Sequence, residues 1–357
     1  MKKKALIAMS GGVDSSVASL LIKQAGYDCT GITMKLYDNE DIGINNSKTC
    51  CSADDIADAR AVCNRLSIPY YVFNFRDSFN EAVIDRFIEA YENGSTPNPC
   101  IDCNRYIKFD RLMQRMKELE MDYVVTGHYA RIEFDEKSER FILKKALDNT
   151  KDQSYVLYSL TQQQLKHTLF PLGELNKTEV RKIAEENGFI NADKHDSQDI
   201  CFVPDGKYAE FIEGYTGKSY PHGDFVDKNG NVLGEHKGII RYTIGQRKGL
   251  GLALPAPMYV CEKDLKNNKV VLGFNEDLFT SQLYADNINL ITCDKITEPM
   301  RVYAKVRYNQ KEQPAVVTQI DKDRIHVIFD EPQRAICKGQ AVVMYDGDTV
   351  VGGGTII

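Results

Sequence analysis

ALIAMSGGVDSSVASLL occupies residues 5–21 and decides the fold of the first half of the chain. An apolar run, a Ser-Gly-Gly turn and an amphipathic stretch follow one another directly, which reads as strand, loop and helix. Gly11 and Gly12 let the backbone come close to an anion. Ser10, Ser15 and the amides that open the helix can donate to phosphate oxygens, and the helix dipole favours negative charge there. No lysine follows the glycines, so this is not the phosphate loop of kinases and GTPases. GYTGKS at 214–219 imitates such a lysine, but Ile212 stands where a glycine would be needed and no strand precedes it, so it reads as a turn.

Outward from this loop, strand patterns at 29–36, 70–75 and 122–130 alternate with helical patterns at 15–25, 54–67, 78–92 and 105–119. Gly26 ends the first helix. Further helices are expected at 161–170 and 177–187. Strands alternating with helices predict a parallel sheet covered on both faces, with ligands at the carboxyl ends of its strands. From about residue 203 turn signals become dense and no long helical period survives. After about 280 short alternating strands predict a small β domain, a barrel. The class is therefore α/β, with expected domains at 1–203, 204–279 and 280–357.

The 357 residues are 43% apolar and 27% charged, an ordinary globular mix of two to three domains. The early apolar run at 5–9 is too short for a membrane span or a signal peptide, so the chain reads as cytoplasmic. A net charge of −6 does not suggest a nucleic-acid binder. Its distribution keeps an anion-binding surface open. Lys237, Arg241, Arg247 and Lys248 fall in a stretch without an acid, five basic residues between Arg105 and Lys117 face only Asp110, and Lys144, Lys145 and Lys151 cluster.

Ten cysteines without a secretion signal imply reduced thiols, available for catalysis or metal binding. Cys29, Cys63, Cys261, Cys293 and Cys337 read as small core residues, and the adjacent Cys50 and Cys51 as packing. Cys100 and Cys103 form a C-x-x-C pair in TPNPCIDCNRYIKFD (96–110), and Cys201 ends HDSQDIC (195–201). Two thiols that reach one substrate could transfer sulfur: one can carry a persulfide and the other can attack it to leave a disulfide. A helix N-terminus with Arg105 and Lys108 nearby would favour a thiolate.

SGGVDS after an N-terminal strand resembles the ATP pyrophosphatase superfamily, which cleaves ATP between its α and β phosphates. Several further stretches, in order and spanning nearly the whole chain, resemble the tRNA-specific 2-thiouridylases: GITMKLYD, CCSADDIADAR, NGSTPNPCIDCNRYIKF, TGHYAR, KDQSYVL, HDSQDICF, YTIGQRKGLG and AKVRY. The resemblance implies an N-terminal ATP pyrophosphatase domain, a small central domain and a C-terminal tRNA-binding β-barrel. It implies 2-thiolation of the tRNA wobble uridine: ATP, with Mg2+, adenylates the C2 oxygen, a persulfide supplies sulfur and AMP leaves. The partners implied are tRNA and a sulfur donor, a cysteine desulfurase or sulfur-relay protein, with no membrane.

By the same resemblance Cys103 is the nucleophile and Cys201 the persulfide carrier. Ala8, Met9, Ser10, Gly11, Gly12, Val13, Asp14 and Ser15, with Met34 and Gly127, line the ATP site. Asn98, Pro99 and Cys100 meet the target base, and His128, Lys151, Asp152, Gln153, Arg307, Tyr308 and Gln340 touch the tRNA. Read as bare sequence, His128 is equally an acid–base candidate or a packed polar residue, and the others are solvated loop or strand-end positions. More of the RNA surface is expected on the IGQRKGLG loop. Many family members carry an acid at the place of Cys100. Cys100, Cys103 and Cys201 therefore also admit an iron–sulfur cluster, with a structural zinc a weaker option. Two rival functions remain, an ATP-dependent ligase or amide synthase and a non-catalytic tRNA-binding module.

Overall fold

A computed structural model describes residues 2–37, 53–194, 200–203 and 206–357. Contacts gather the chain into two units. One is Met1–Ile84, Pro99–Gly206 and Asp348–Val351; the other is Asp85–Asn98, Lys207–Gly347 and Gly352–Ile357.

In the first unit the strands are β1 (Lys4–Ala8), β2 (Asp28–Lys35), β3 (Tyr70–Asn74), β4 (Tyr123–Val125), the hairpin β5 (Ala130–Asp135) and β6 (Arg140–Lys145), and β7 (Thr168–Leu169). A parallel sheet runs in the order β3-β2-β1-β4-β7. Ala5, Leu6 and Ile7 of β1 are wholly buried. That is why this strand reads as a continuous apolar run rather than an alternating one. Helices α1 (Val13–Gln24) and α2 (Ala53–Arg65) contribute Val17, Ala18, Val62 and Cys63 to the cluster on one face. Leu112, Met113 and Met116 cover Leu6, Ile32 and Val124 on the other.

The expected strand at 122–130 is two strands. β4 stops at Val125, a loop crosses 126–129, and β5 starts at Ala130. The hairpin partner at 140–145 has no counterpart in the sequence reading. The helix expected at 105–119 starts earlier. It runs as Pro99–Asp102, a π-helical Cys103–Arg111 and Leu112–Glu118. Pro99 opens it, where a missing N–H costs nothing.

In the second unit a helix at Tyr208–Thr216 lies where none was expected. It is short, and its apolar side is met by aromatic residues distant in sequence. Tyr91 stacks on Tyr208 at 4.6 Å and Phe87 meets Phe211 at 6.4 Å. Its left-handed cap at Gly217 accounts for the GYTGKS stretch. A four-stranded sheet, ordered Tyr259–Asp264, Lys269–Gly273, Gly223–Asp227 and Val232–His236, packs around Phe225, Tyr242, Val260 and Leu272. The C-terminal strands close on themselves, because Phe279–Leu290 pairs with both Ile325–Arg334 and Thr349–Ile356. The closed ring has no free edge, although the sheet extends from Thr349–Ile356 to the hairpin β6–β5.

Among the described residues no helix is long and apolar enough to cross a membrane.

Candidate active site

The loop after β1 is shaped by its own serines. Ser10 N donates to Ser15 Oγ at 3.2 Å, while Ser15 Oγ and Ser16 Oγ each donate to the Gly12 carbonyl at 3.0 Å. Met9 N donates to the Ile32 carbonyl at 2.7 Å, which fixes the turn's entry to β2. Gly12 is the N-cap of α1, and no side chain closes the helix there. First-turn amides with no cap, at the positive end of a 12-residue helix, suit an anion. Ala8 and Val13 flank this turn, and Met34 lies near the end of β2 in register with Phe73.

Asp14 projects from the first turn and is held from two distant places. Lys177 Nζ donates to both its oxygens at 2.7 and 2.8 Å, and Tyr129 Oη donates to Oδ1 at 2.8 Å. Sequence reasoning missed both partners. Lys177 is the first residue of the helix Lys177–Glu186, whose N-cap Asn176 and Glu179 form a capping box. A cation there opposes the helix dipole, so its presence signals an anion nearby.

Asp152 and Gln153 serve the same corner from within. Asp152 accepts from Ala146 N and from Ser154 N and Oγ, and Gln153 exchanges two hydrogen bonds of 2.9 Å with the backbone of Tyr129. Lys151 N donates to the Asp148 carbonyl in the same turn.

Gly127 passes over the start of α1. A Cβ there would lie 2.8 Å from Asp14 C and Ser15 N. Gly127→Ala is therefore expected to displace the loop and raise the ATP concentration for half-maximal pyrophosphate release about tenfold or more, equivalent to about 1.4 kcal/mol of lost binding. Steady-state pyrophosphate assays against ATP concentration would check it; an unchanged ATP dependence would contradict this packing.

A second frame holds the loop's carbonyl side. The Gly11 carbonyl accepts from Asn191 Nδ2 at 2.9 Å and from Lys194 Nζ at 3.2 Å, and Lys194 also binds Asp55 at 2.6 Å and Asp58 at 2.8 Å. Asn191 Nδ2 also reaches Ser16 Oγ at 3.0 Å. These bonds orient the 11–12 peptide, and none was foreseen from the sequence.

His128 is buried against Phe109 and Phe170. Its Nδ1 lies 2.7 Å from Thr126 Oγ1 and its Nε2 lies 3.5 Å from Lys108 Nζ. An ammonium only donates, so Nε2 accepts and Nδ1–H donates to Thr126. Burial, reinforced by Lys108, holds its pKa well below the usual histidine value. The packed polar residue is thus the surroundings His128 has here. A base kept neutral in the fold protonates only on unfolding. Stability is full above the unfolded pKa near 6.5 and falls as pH drops below it, with a slope approaching about 1.4 kcal/mol per pH unit. Denaturant melts between pH 7.5 and 5.5 should show this loss, and His128→Asn should reduce it.

Cys100 is exposed in Pro99–Asp102, and Cys103, 9% exposed, opens the π-helical segment. Cys201 is half-buried, and its carbonyl accepts from Tyr37 Oη at 2.8 Å. The short helix Arg76–Phe79 packs against Cys103–Arg111, and the Phe79 ring stands edge-on to Phe202 at 5.7 Å. Cys103 therefore opens the segment that meets Arg76–Phe79, and Cys201 directly precedes Phe202 in the chain. Asn104, beside Cys103, is buried and donates to the Val156 carbonyl; its Oδ1 has no partner among the described residues. Cys29, Cys63 and Cys337 are buried, and burial pushes Cys29 up to about 11 and Cys63 up to about 12. They are poor nucleophiles, as core cysteines should be. Cys50 and Cys51 lie outside the described residues, as do residues 195–199 of HDSQDIC. Among the described residues, Cys100, Cys103 and Cys201 included, no three His, Cys, Asp or Glu side chains converge to hold a metal.

The remaining expected tRNA residues lie in the second unit. Arg307 is turned inward. Its Nη2 donates to the carbonyls of Ile244 at 3.3 Å and Ala335 at 2.8 Å and to Cys337 Sγ at 3.0 Å. Tyr308 is 37% exposed, with Lys305 Nζ over its ring. Gln340 Nε2 donates to the Thr96 carbonyl at 2.7 Å, close to Asn98.

Known proteins match this architecture along its whole length. A family model described as a tRNA methyl transferase HUP domain matches residues 3–205, a tRNA methyl transferase PRC-barrel domain matches 209–274, and an aminomethyltransferase beta-barrel domain matches 280–356. The tRNA-specific 2-thiouridylase MnmA of Clostridioides difficile (strain 630) is 53% identical over 356 residues, covering 100% of this chain and 98% of that one. The chain belongs to the tRNA-specific 2-thiouridylase family. A second member, the tRNA-specific 2-thiouridylase MnmA of Clostridium acetobutylicum, is 51% identical, with 100% of both chains covered. Among solved structures, a 4-thiouridine synthetase–RNA complex with bound ATP matches with a TM-score of 0.36 and 15% identity, over 60% of this chain and 50% of that one. The 2-thiouridylase family accounts for the class expected from the sequence: a parallel-sheet domain, a small central domain and a closed C-terminal barrel.

Proposed function

We propose that this chain catalyses ATP-dependent 2-thiolation of the wobble uridine of tRNA, with domains at 1–203, 204–279 and 280–357. The uncapped N-terminus of α1, with Ser10, Gly11, Gly12 and Ser15, receives the phosphates of ATP, which enters as its magnesium complex. The uridine C2 oxygen attacks the α-phosphorus, pyrophosphate leaves, and the N3 proton is lost. C2 then carries adenylate in place of a poor oxygen leaving group.

Cys201 carries a persulfide from a sulfur donor, a cysteine desulfurase or relay protein. The Cys103 thiolate attacks Cys201 Sγ, so the Cys103–Cys201 disulfide forms and the terminal sulfur leaves as hydrosulfide. Hydrosulfide adds at C2 and expels AMP. An external dithiol returns the disulfide to two thiols. Asn98, Pro99 and Cys100 present the base, and phosphate contacts elsewhere hold the RNA without reading its sequence. The reaction is placed in the cytoplasm.

The observation that carries this reading is that Cys103 and Cys201 lie in the unit that holds the phosphate loop, on segments that both meet the short helix Arg76–Phe79. An amide or amine ligase would have no use for that pair. Persulfide-loaded protein incubated anaerobically with tRNA and ATP should yield tRNA with sulfur in place of one oxygen, with one AMP and one pyrophosphate per sulfur. Nitrogen incorporation, or no nucleotide turnover with bound tRNA, would reject it in favour of the ligase or the binding module.

A further inference from the structure

From Lys237 through Cys261 the sequence contains no Asp or Glu. Arg241, within that stretch, is already paired with Glu210 and Glu213. Arg247 and Lys248 are different. Both are exposed, they are adjacent, and neither has an ion-pair partner among the described residues.

The loop tip that carries them is braced on every side. Gly245 N donates to the Val260 carbonyl at 2.8 Å and Val260 N returns a bond to the Gln246 carbonyl at 2.9 Å. The Gln246 side chain spans the tip: its Oε1 accepts from Thr243 N and its Nε2 donates to the Lys248 carbonyl, both at 3.0 Å. Leu250 anchors the far side in the core with Phe225 and Tyr242. Arg307 secures the near side through the Ile244 carbonyl. Gly245 has φ +86°, and a Cβ there would lie 2.8 Å from that of Ala335. Two uncompensated cations are thus held on a stiff backbone, which reduces the ordering cost of binding.

We propose that Arg247 and Lys248 form a phosphate-binding tip for the RNA backbone, and that Arg307 acts on RNA as a positioning residue through this tip. The inference rests on the tRNA reading above. The chemistry favours a polyanion: two neighbouring cations with no acid in the segment match successive phosphates, whereas an acid-bearing surface would be needed to select a mixed-charge protein partner.

The test measures tRNA affinity of the full chain against salt concentration, with melting temperature and ATP-dependent pyrophosphate release on the same samples. Removing two phosphate contacts should make the slope of log K against log salt shallower by about 1.4 to 1.8 and weaken binding at low salt about tenfold or more. Arg247→Gln/Lys248→Gln should show this with unchanged melting; Arg247→Ala/Lys248→Ala gives a second version of the same measurement. In either background, adding Arg307→Met should change affinity less than about twofold, because its effect runs through the lost contacts. In the wild-type background Arg307→Met should weaken binding. An unchanged slope in both double variants overturns the tip. Full additivity of Arg307→Met overturns its positioning role. Failure of the wild-type chain to bind tRNA at all would instead reject the function on which the proposal stands.

Discussion

Replacing either Cys103 or Cys201 by serine is expected to lower 2-thiouridine formation by about a thousandfold or more, because an alcohol neither carries sulfane sulfur nor attacks it at neutral pH. Pyrophosphate release in the presence of tRNA should persist in both variants, since the phosphate loop and its two frames contain neither thiol. The two losses should not add in the double variant, because the thiols act in one sequence. Cys100→Ser should retain substantial activity: the thiol is exposed, and among the described residues no metal-ligating group gathers around it. Quantifying thiolated nucleoside anaerobically, with iron determined on the same samples, reads all four variants. Full thiolation by Cys103→Ser would end the persulfide mechanism, and loss of iron with Cys100→Ser would replace it.

Lys177→Met should be the second large effect. It removes the cation that neutralises Asp14 beside the α1 N-terminus. Pyrophosphate release is expected to fall about a hundredfold or more, because an unpaired Asp14 carboxylate beside the α1 N-terminus would oppose the developing phosphate charge. Asp14→Ala should fall similarly, and tRNA affinity should be unchanged in both. Lys177→Arg keeps the charge and should recover part of the rate. Lys177 is only 12% exposed, so melting curves must accompany the kinetics. A Met variant that melts normally and releases pyrophosphate at the wild-type rate would reduce Lys177 to a packing partner.

The phosphate loop, the parallel sheet and the barrel strands were legible because each is written in neighbouring residues: a glycine turn between an apolar run and an amphipathic one, or strands of period two between turn signals. The partners of Asp14 were not. Tyr129 and Lys177 are far along the chain, and no local periodicity links them to it. Only the awkward cation at a helix start hinted at Lys177. Lys194 and Asn191 escaped for the same reason. The helix at Tyr208–Thr216 was hidden because its apolar face is completed by Phe87 and Tyr91. TGHYA looked like the continuation of a strand, since nothing local reveals that Gly127 must clear α1. Arg307 looked like an exposed strand end, but its acceptors are backbone carbonyls contributed by two other segments.

The π-helical turn that begins at Cys103 makes chain length itself a determinant of the chemistry. A π segment is an α-helix accommodating surplus residues. Deleting one residue between Cys103 and Arg111 would let the helix relax toward regular α geometry. Everything on its N-terminal side would then turn by about 100° relative to Leu112–Glu118. The Cys103 thiol would swing off its bearing with no other side chain altered. A single-residue deletion at an inconspicuous site such as Asp110 should therefore be as silencing as losing the thiol, while conservative exchanges at the same site pass unnoticed. In this stretch the spacing of the chain sets where the sulfur points.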